Sequence, residues 1–234
     1  MWHCKPSAGR SGGILLGINL TVFDIGSIVE GDLFVKFCLC NRCDGFQWIL
    51  VAVYGAAQSE YKDQFLSELV RTCRLESCPM VVGGDFNILR QPEEKNNDRY
   101  DPRWPFLFNA IIDSLDLREI ALSGRNFTWA NNLPNPTYEK LDRVLVSTDW
   151  EEKFPLITVS ALERFPSDHT PLLLDTGAAT HNRQPPLFKF ELAWLQREGF
   201  VELVSEVWNE QSQGQTVLQK WQNKIRRLRQ FLRG

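Results

Sequence analysis

The stretch Pro79-Met80-Val81-Val82-Gly83-Gly84-Asp85-Phe86-Asn87 constrains this chain more than any other. An apolar run, short enough to be a buried strand, ends in two glycines, an acid and an amide. The glycines remove Cβ atoms that hinder close backbone approach and they admit positive φ, so the strand can turn sharply there. Alternation then puts Asp85 and Asn87 on one side of the chain and Phe86 on the other, toward a core. A carboxylate beside an amide suits a hard cation or a phosphate, and ligands of α/β sheets sit outside the carboxyl ends of strands. A capped strand-to-helix turn accounts for the same residues without a ligand.

Composition narrows the field. With 234 residues, 43% hydrophobic and 24% charged, the chain has material for one domain plus an appendage. A net charge of -3 and a pI near 5.7 argue against nucleic-acid binding by bulk electrostatics, so any DNA contact has to be local. Six cysteines without regular framework spacing, a secretory signal or a transmembrane run imply reduced thiols in an intracellular protein with no membrane partner. The C-x-C-x2-C group of Cys38, Cys40 and Cys43 has donors for zinc. Cys38 and Cys40 alternate within a strand-like run, however, and core or hairpin thiols fit that pattern better.

Strand and helix signals alternate without repeats. Gly12 to Ile18, Leu33 to Cys40, Trp48 to Gly55 and the run ending at Asp85 are apolar or alternating segments bounded by Gly, Asn and Asp, as strands are. One helix falls among them, from Glu60 to Leu75 after Ser59 as cap, with Phe65, Leu66, Leu69 and Val70 at helical spacing. Strands with no helix between them pair antiparallel, so the expected sheet is mixed. A second helix is expected from Trp104 to Leu115, and a hairpin with a protruding tip from Asn126–Asn131 and Lys140–Ser147, joined by "NLPNPTYE".

A second polar cluster, Ser167-Asp168-His169-Thr170, stands directly before an apolar strand. Asp168 and His169 at a strand entrance need partners, and a satisfied structural histidine is the plainer reading of His169 alone. Asp142, in "KLDRVLVS", reads by itself as a strand residue paired with Arg143 or with a neighbouring strand.

The order of these segments says more than any one of them. "VAVYG", "GGDFN", "FTW", "KLDRVLVS" and "SDHTPLLL", in succession, resemble the endonuclease/exonuclease/phosphatase (DNase I-like) superfamily. The wording "GRSGGILLGIN", "GRNFTWANN" and "EKLDRVLVSTDWEEKFP" is most similar to the endonuclease domains of plant LINE-type (non-LTR) retrotransposon polyproteins. The resemblance spans about Ser11 to Asp175. It implies a four-layer α/β sandwich of two mixed sheets flanked by helices, and hydrolysis of phosphodiesters with Mg2+ or Mn2+.

The same resemblance implies roles for residues. Asp85 orients or deprotonates the attacking water, Asn87 holds phosphate or metal, and Asp168 is a metal-associated carboxylate. His169 stabilises phosphoryl charge or moves a proton, Asp142 orients His169, and Tyr54 contacts the phosphate. Trp129 is expected in the core. The hairpin tip lies against target DNA in LINE nucleases, and the polyprotein continues into a reverse transcriptase. The implied protein is a nuclear, monomeric DNA-binding enzyme.

The chain also departs from that pattern. Family members open with an Asn-bearing strand and then a strand ending in a metal-binding Glu; neither precedes Gly12, and Glu30 and Asp32 fall in a later turn. The expectation is an N-terminally truncated domain, residues 1–177, with impaired metal binding. A non-catalytic transposon relic or DNA-binding module is the rival reading, and a phosphatase or lipid phosphodiesterase of the same superfamily is another. After a linker at 178–186, residues 187–234 carry helical apolar spacing. Lys220, Lys224, Arg226, Arg227, Arg229 and Arg233 have no acid among them, which marks either a solvated face or, through Arg226, Arg227 and Arg229, a nucleic-acid contact.

Overall fold

A computed structural model describes residues 1–7, 12–74, 76–131, 133–164, 166–177, 192–197, 199–212 and 216–233. The expected linker at 178–186 and the first residues of the extension lie outside the described residues. The chain divides into two units, Met1–Ala178 and Ala179–Gly234.

The first unit opens with an antiparallel hairpin, β1 (Trp2–Lys5) against β2 (Ile14–Gly17). Its main sheet contains β3 (Phe23–Glu30), β4 (Phe34–Asn41), β5 (Gln47–Tyr54), β6 (Met80–Asp85), β7 (Leu117–Glu119) and β11 (Asp142–Ser147), in the order β3-β4-β5-β6-β11-β7. Of the neighbouring pairs in this sheet, β5 and β6 alone run parallel, and a crossover helix, α1 (Ser59–Arg74), joins them. A smaller mixed sheet holds β8 (Leu122–Ser123), β12 (Thr158–Ala161) and β13 (Leu172–Asp175), with β12 parallel to β8 and antiparallel to β13. A two-residue ladder pairs β9 (Trp129–Ala130) with β10 (Tyr138–Glu139).

The period of two in each strand decides which core a side chain joins. Ile49, Val51, Val53, Met80, Val82 and Leu145 pack with α1 and with α2 (Arg103–Ser114), which buries Trp104, Phe108 and Ile112 at every fourth position. Val35, Phe37, Leu39, Trp48, Val81, Val144 and Val146 alternate with them and form a second core. There they meet Ile18, Val159 and Trp150 of α3 (Thr148–Lys153). The result is the layered α/β sandwich of mixed sheets and flanking helices that the sequence implies.

Several details differ from expectation. The hairpin is confined to β9 and β10, and β11 lies inside the main sheet between β6 and β7. Its run Arg143-Val144-Leu145-Val146 is buried on both faces, which a hairpin arm over solvent could not achieve. Between β10 and β11 the ladder is broken, because Lys140 donates its N–H to the Glu94 carbonyl while Leu141 and Asp142 donate theirs to Thr128 Oγ1. Glu30 closes β3 instead of sitting in a turn, and pairs with His3 at 2.8 Å. Trp129 is half-buried, not in either core. The six cysteines are free thiols.

In the second unit, α4 (Phe200–Asn209) and α5 (Val217–Arg233) are both amphipathic. Arg227 donates to the carbonyls of Glu210 and Gln211 and pairs with the Glu210 carboxylate at 3.3 Å. The offsetting acid that α5 lacks is therefore supplied from the end of α4. Arg226 is exposed, and the Arg229 side chain lies outside the described residues.

One buried charge cluster ties the main sheet together. Arg143, with its side chain fully buried, donates to both oxygens of Glu94 (2.7 and 2.6 Å), to Glu119 (3.2 Å), and to the carbonyls of Ile88 (3.1 Å) and Lys140 (2.7 Å). Lys140 and Arg90 complete the neutralisation of Glu119. Removing one member leaves the others desolvated and unpaired, a cost of about 3–5 kcal/mol. Arg143→Leu is expected to lower the urea midpoint by that amount of stability, and Arg143→Leu combined with Glu94→Leu to recover part of it. Equal losses in the single and double variants would show that the cluster is not coupled.

Candidate active site

The strand β6 ends at Asp85 through Gly84, whose φ is +140° and whose added Cβ would stand 2.2 Å from the Val53 carbonyl oxygen. Only glycine permits both the angle and the approach. Phe86 turns into the helix-side core between Phe65 and Phe108. Asn87 does not continue the strand: its φ is +51°, and it curls back so that its N–H donates to Asp85 Oδ1 (2.9 Å) and its Nδ2 to Asp85 Oδ2 (2.7 Å). Its Nδ2 also donates to the Gly55 carbonyl (3.0 Å), beyond the end of β5. Asparagine is among the few residues that tolerate this left-handed conformation.

Antiparallel pairing of β6 and β11 places Asp142 directly opposite Asp85. His169 then joins the two acids. Its Nδ1 lies 2.9 Å from Asp142 Oδ2, and its Nε2 lies 3.9 Å from Asp85 Oδ2. With Nδ1 carrying the proton that the Asp142 carboxylate accepts, Nε2 is the ring atom turned to Asp85. The 3.9 Å gap exceeds a direct hydrogen bond, and an oxygen atom about 2.8 Å from each group can stand beside it.

Asp168 is held differently. Its Oδ2 accepts the indole N–H of Trp129 (3.0 Å), and its carbonyl accepts from Ala130 N (3.1 Å) and Arg164 Nη1 (3.0 Å). Trp129 forms an isolated bridge with His169, so Asp168 adjoins the histidine without sharing its hydrogen bond. Tyr54 is the register partner of Asp85 on the other side of β6. Asp85 with Asn87 and Asp142 with His169 are thus joined by hydrogen bonds, the two pairs face each other across 3.9 Å, and Tyr54 and Asp168 flank them.

The electrostatics follow from this placement. Burial, with Asp142 opposite, raises the Asp85 carboxyl to a pKa of about 6. The Asp142 hydrogen bond raises the His169 pKa, against partial desolvation. Asp168 is lowered: slight burial acts to raise it, but the Trp129 bond and the nearby His169 and Arg164 charges outweigh that effect. At neutral pH, Asp85 is poised to accept a proton and His169 to carry one.

Three further residues hold the site. Thr128, fully buried, accepts the N–H groups of Leu141 and Asp142 (3.0 Å each) and takes the Thr170 N–H on its carbonyl (2.7 Å). It clamps the approach to Asp142 to the segment carrying His169. Lys62 reaches from α1 to the Asn87 carbonyl (2.8 Å) over the Trp104 ring, and burial lowers its pKa. Arg143 binds the Ile88 carbonyl just after Asn87. The sequence placed Thr128 in the quoted "FTW" and Arg143 in "KLDR", but only folding brings these hydrogen bonds together.

The raised pKa values fix the sign of a pH effect. Asp85 contributes stability fully below its ordinary pKa of 3.8 and loses it as pH rises through about 6. His169 contributes fully below 6.5 and loses its share through a still higher pKa. The contribution of these two groups should therefore fall as pH rises above 4. Asp85→Asn gives up one of the two acceptors that Asn87 uses, so the test is a difference: relative to the parent, the variant should gain on the order of 2 kcal/mol between pH 4 and pH 7. Urea titrations at both values check this, and a difference independent of pH would contradict the burial argument.

No curated protein matches the chain significantly by sequence. The sequence profile of the Endonuclease/Exonuclease/phosphatase family matches residues 2–169. Among solved structures, the endonuclease domain of TRAS1, a telomere-specific non-LTR retrotransposon, is similar with a TM-score of 0.60 and 16% identity, over 75% of this chain and 78% of that one. A functionally unknown conserved protein from Enterococcus faecalis V583 is similar with a TM-score of 0.50 and 14% identity, over 74% and 77%. At these identities the two likenesses concern the fold. The profile spans both strand ends that carry the site, from the first hairpin through His169, and the chain belongs to the endonuclease/exonuclease/phosphatase family.

Proposed function

We propose that the chain is a phosphodiester hydrolase of the endonuclease kind, acting on DNA with slow turnover. The observation that carries this reading is the line Asp142–His169–Asp85, with a hydrogen-bonded histidine between an orienting acid and an acid whose pKa of about 6 suits a general base. The order of the motifs and the hairpin beside the site favour the LINE-type branch over phosphatases.

In this reading Asp85 takes a proton from water as the water oxygen bonds to phosphorus. His169 Nε2–H faces the phosphoryl oxygen where negative charge develops. The P–O bond to the leaving group breaks, and solvent protonates the departing alkoxide. Asn87 and Tyr54 flank the phosphate.

Divalent metals are general in this family, but the donors here do not make a cage. Among the described residues, no three His, Cys, Asp or Glu side chains could hold an ion together. Both Asp85 oxygens accept from Asn87, and Asp168 Oδ2 accepts from Trp129. Mg2+ dehydrates reluctantly and needs near-octahedral oxygen ligation, so its affinity for such a set is low.

Nicking of supercoiled plasmid should accordingly be slow and should rise without saturation as Mg2+ is raised through the millimolar range. His169→Ala should reduce it by about 10²–10⁴-fold. Nicking indifferent to that substitution, or absent at every Mg2+ and Mn2+ concentration, would leave the non-catalytic DNA-binding reading in its place.

The same proposal gives α5 a distinct role for each arginine. Arg226→Ala should weaken DNA binding uniformly across sequences and reduce the slope of log K against log salt by about 1. Arg227→Ala should instead lower the stability of the second unit, because its guanidinium is tied to Glu210 and Gln211. An unchanged salt slope for Arg226→Ala would assign α5 to a solvated face.

A further inference from the structure

Beside the reaction centre, on the far side of Tyr54, lies a cavity of about 550 Å³ formed by the β1–β2 hairpin, the Asp32–Leu33 turn and the first turn of α1. It is continuous with the candidate active site through the backbone. Tyr54 pairs with Asp85, the Gly55 N–H donates to the Asp85 carbonyl at 2.6 Å, and Asn87 Nδ2 donates to the Gly55 carbonyl. The chain that shapes this wall is the chain that positions the proposed base.

The walls are suited to a flat, uncharged, hydrogen-bonding group. Tyr54 and the half-exposed Tyr61 supply aromatic surface, and Gly12 lies against the Tyr54 ring, where a Cβ would come within 3.3 Å of Cζ. Gln64 donates its amide to Asp32 Oδ2 at 3.2 Å, which fixes the amide and leaves its carbonyl end to accept. Among the described lining residues, one cation, Lys5, stands against two carboxylates, Asp32 and Glu60. That balance disfavours a phosphate inside the cavity. The volume is within the range of small-ligand sites.

We propose that this cavity is a nucleobase subsite: it takes the base of a nucleotide flanking the scissile phosphate, stacked on Tyr61 and Tyr54 and read by Gln64. The proposal rests on the phosphodiesterase reading and adds to it a site that orients the strand before hydrolysis. Stacking on an aromatic side chain is tolerant of base identity, and Gln64, as an acceptor, favours bases with an exocyclic amine.

The probe is a single-stranded oligonucleotide carrying one 2-aminopurine, whose fluorescence falls on stacking, titrated with the full chain in EDTA. Saturable quenching is expected with the parent. Tyr61→Ala should weaken binding about tenfold and remove most of the quenching, while Tyr61→Phe keeps both. The same oligonucleotide with an abasic position in place of 2-aminopurine should bind the parent no better than the intact one binds Tyr61→Ala. Quenching unchanged in Tyr61→Ala, or equal binding of the abasic strand, overturns the subsite. His169→Ala separates the two readings, since it should lower nicking by about 10²–10⁴-fold and leave quenching intact. Nicking that depends on His169 without quenching sinks the subsite alone, whereas quenching without nicking that depends on His169 sinks the hydrolase alone.

Discussion

Two carboxylates, Asp85 and Asp142, face each other across the β6–β11 ladder, and much of the structure around them follows from that opposition. Like charges at neighbouring strand ends, partly removed from water, are unfavourable unless something neutralises or protonates one of them. His169 provides a proton to Asp142, and Asp85 becomes the acid that retains its own proton to a higher pH. The asymmetry between two chemically identical side chains is therefore a product of position. It also supplies the division of labour that proton transfer at a phosphodiester needs.

Such an arrangement has to be held against its own repulsion, and the buried network beneath it does so. Arg143 follows Asp142 on the strand but points the other way, into Glu94 and Glu119, and reaches the carbonyl of Ile88 behind Asn87. Thr128 fastens the backbone before Asp142 to the residue after His169. Lys62 secures Asn87 from the helix side. The Arg143 bonds to Glu94 and to the Ile88 carbonyl are buried, and those of Lys62 and Thr128 to the backbone are partly so; losing one leaves its partner desolvated, which costs more than the bond itself is worth. The functional side chains stand on two strand ends and one strand entrance, and these three anchors keep those ends in register.

Much of the fold was legible because hydrophobic period is a local property. The strands at 14–17, 34–41, 47–54 and 80–85 and the helices at 59–74 and 103–114 all show it in the sequence. The strands at 2–5, 117–119, 122–123 and 158–161 are too short to show a period, and at 23–30 a register shift between Ile25 and Ile28 interrupts it. Their formation is decided by a neighbour's hydrogen bonds and not by their own pattern. The hairpin differs from the sequence expectation for the same reason. "NFTWAN" and "KLDRVLVS" are adjacent in sequence and strand-like, but Thr128 draws off the N–H groups that would have continued the ladder.

For the site, the sequence by itself determined the residue types and their order: Gly84 before Asp85, an asparagine able to adopt positive φ, and Asp168-His169 before an apolar strand. Those are chemical identities, and folding cannot alter them. The resemblance already implied that Asp142 orients His169; the tertiary structure decided the register that makes this bond at 2.9 Å, and that Trp129 leaves the core to hold Asp168. It also decided that Arg227 is spent on the end of α4. Partners of that kind are set by sheet register and by which groups lose access to water, and neither quantity exists until strands far apart in sequence have paired.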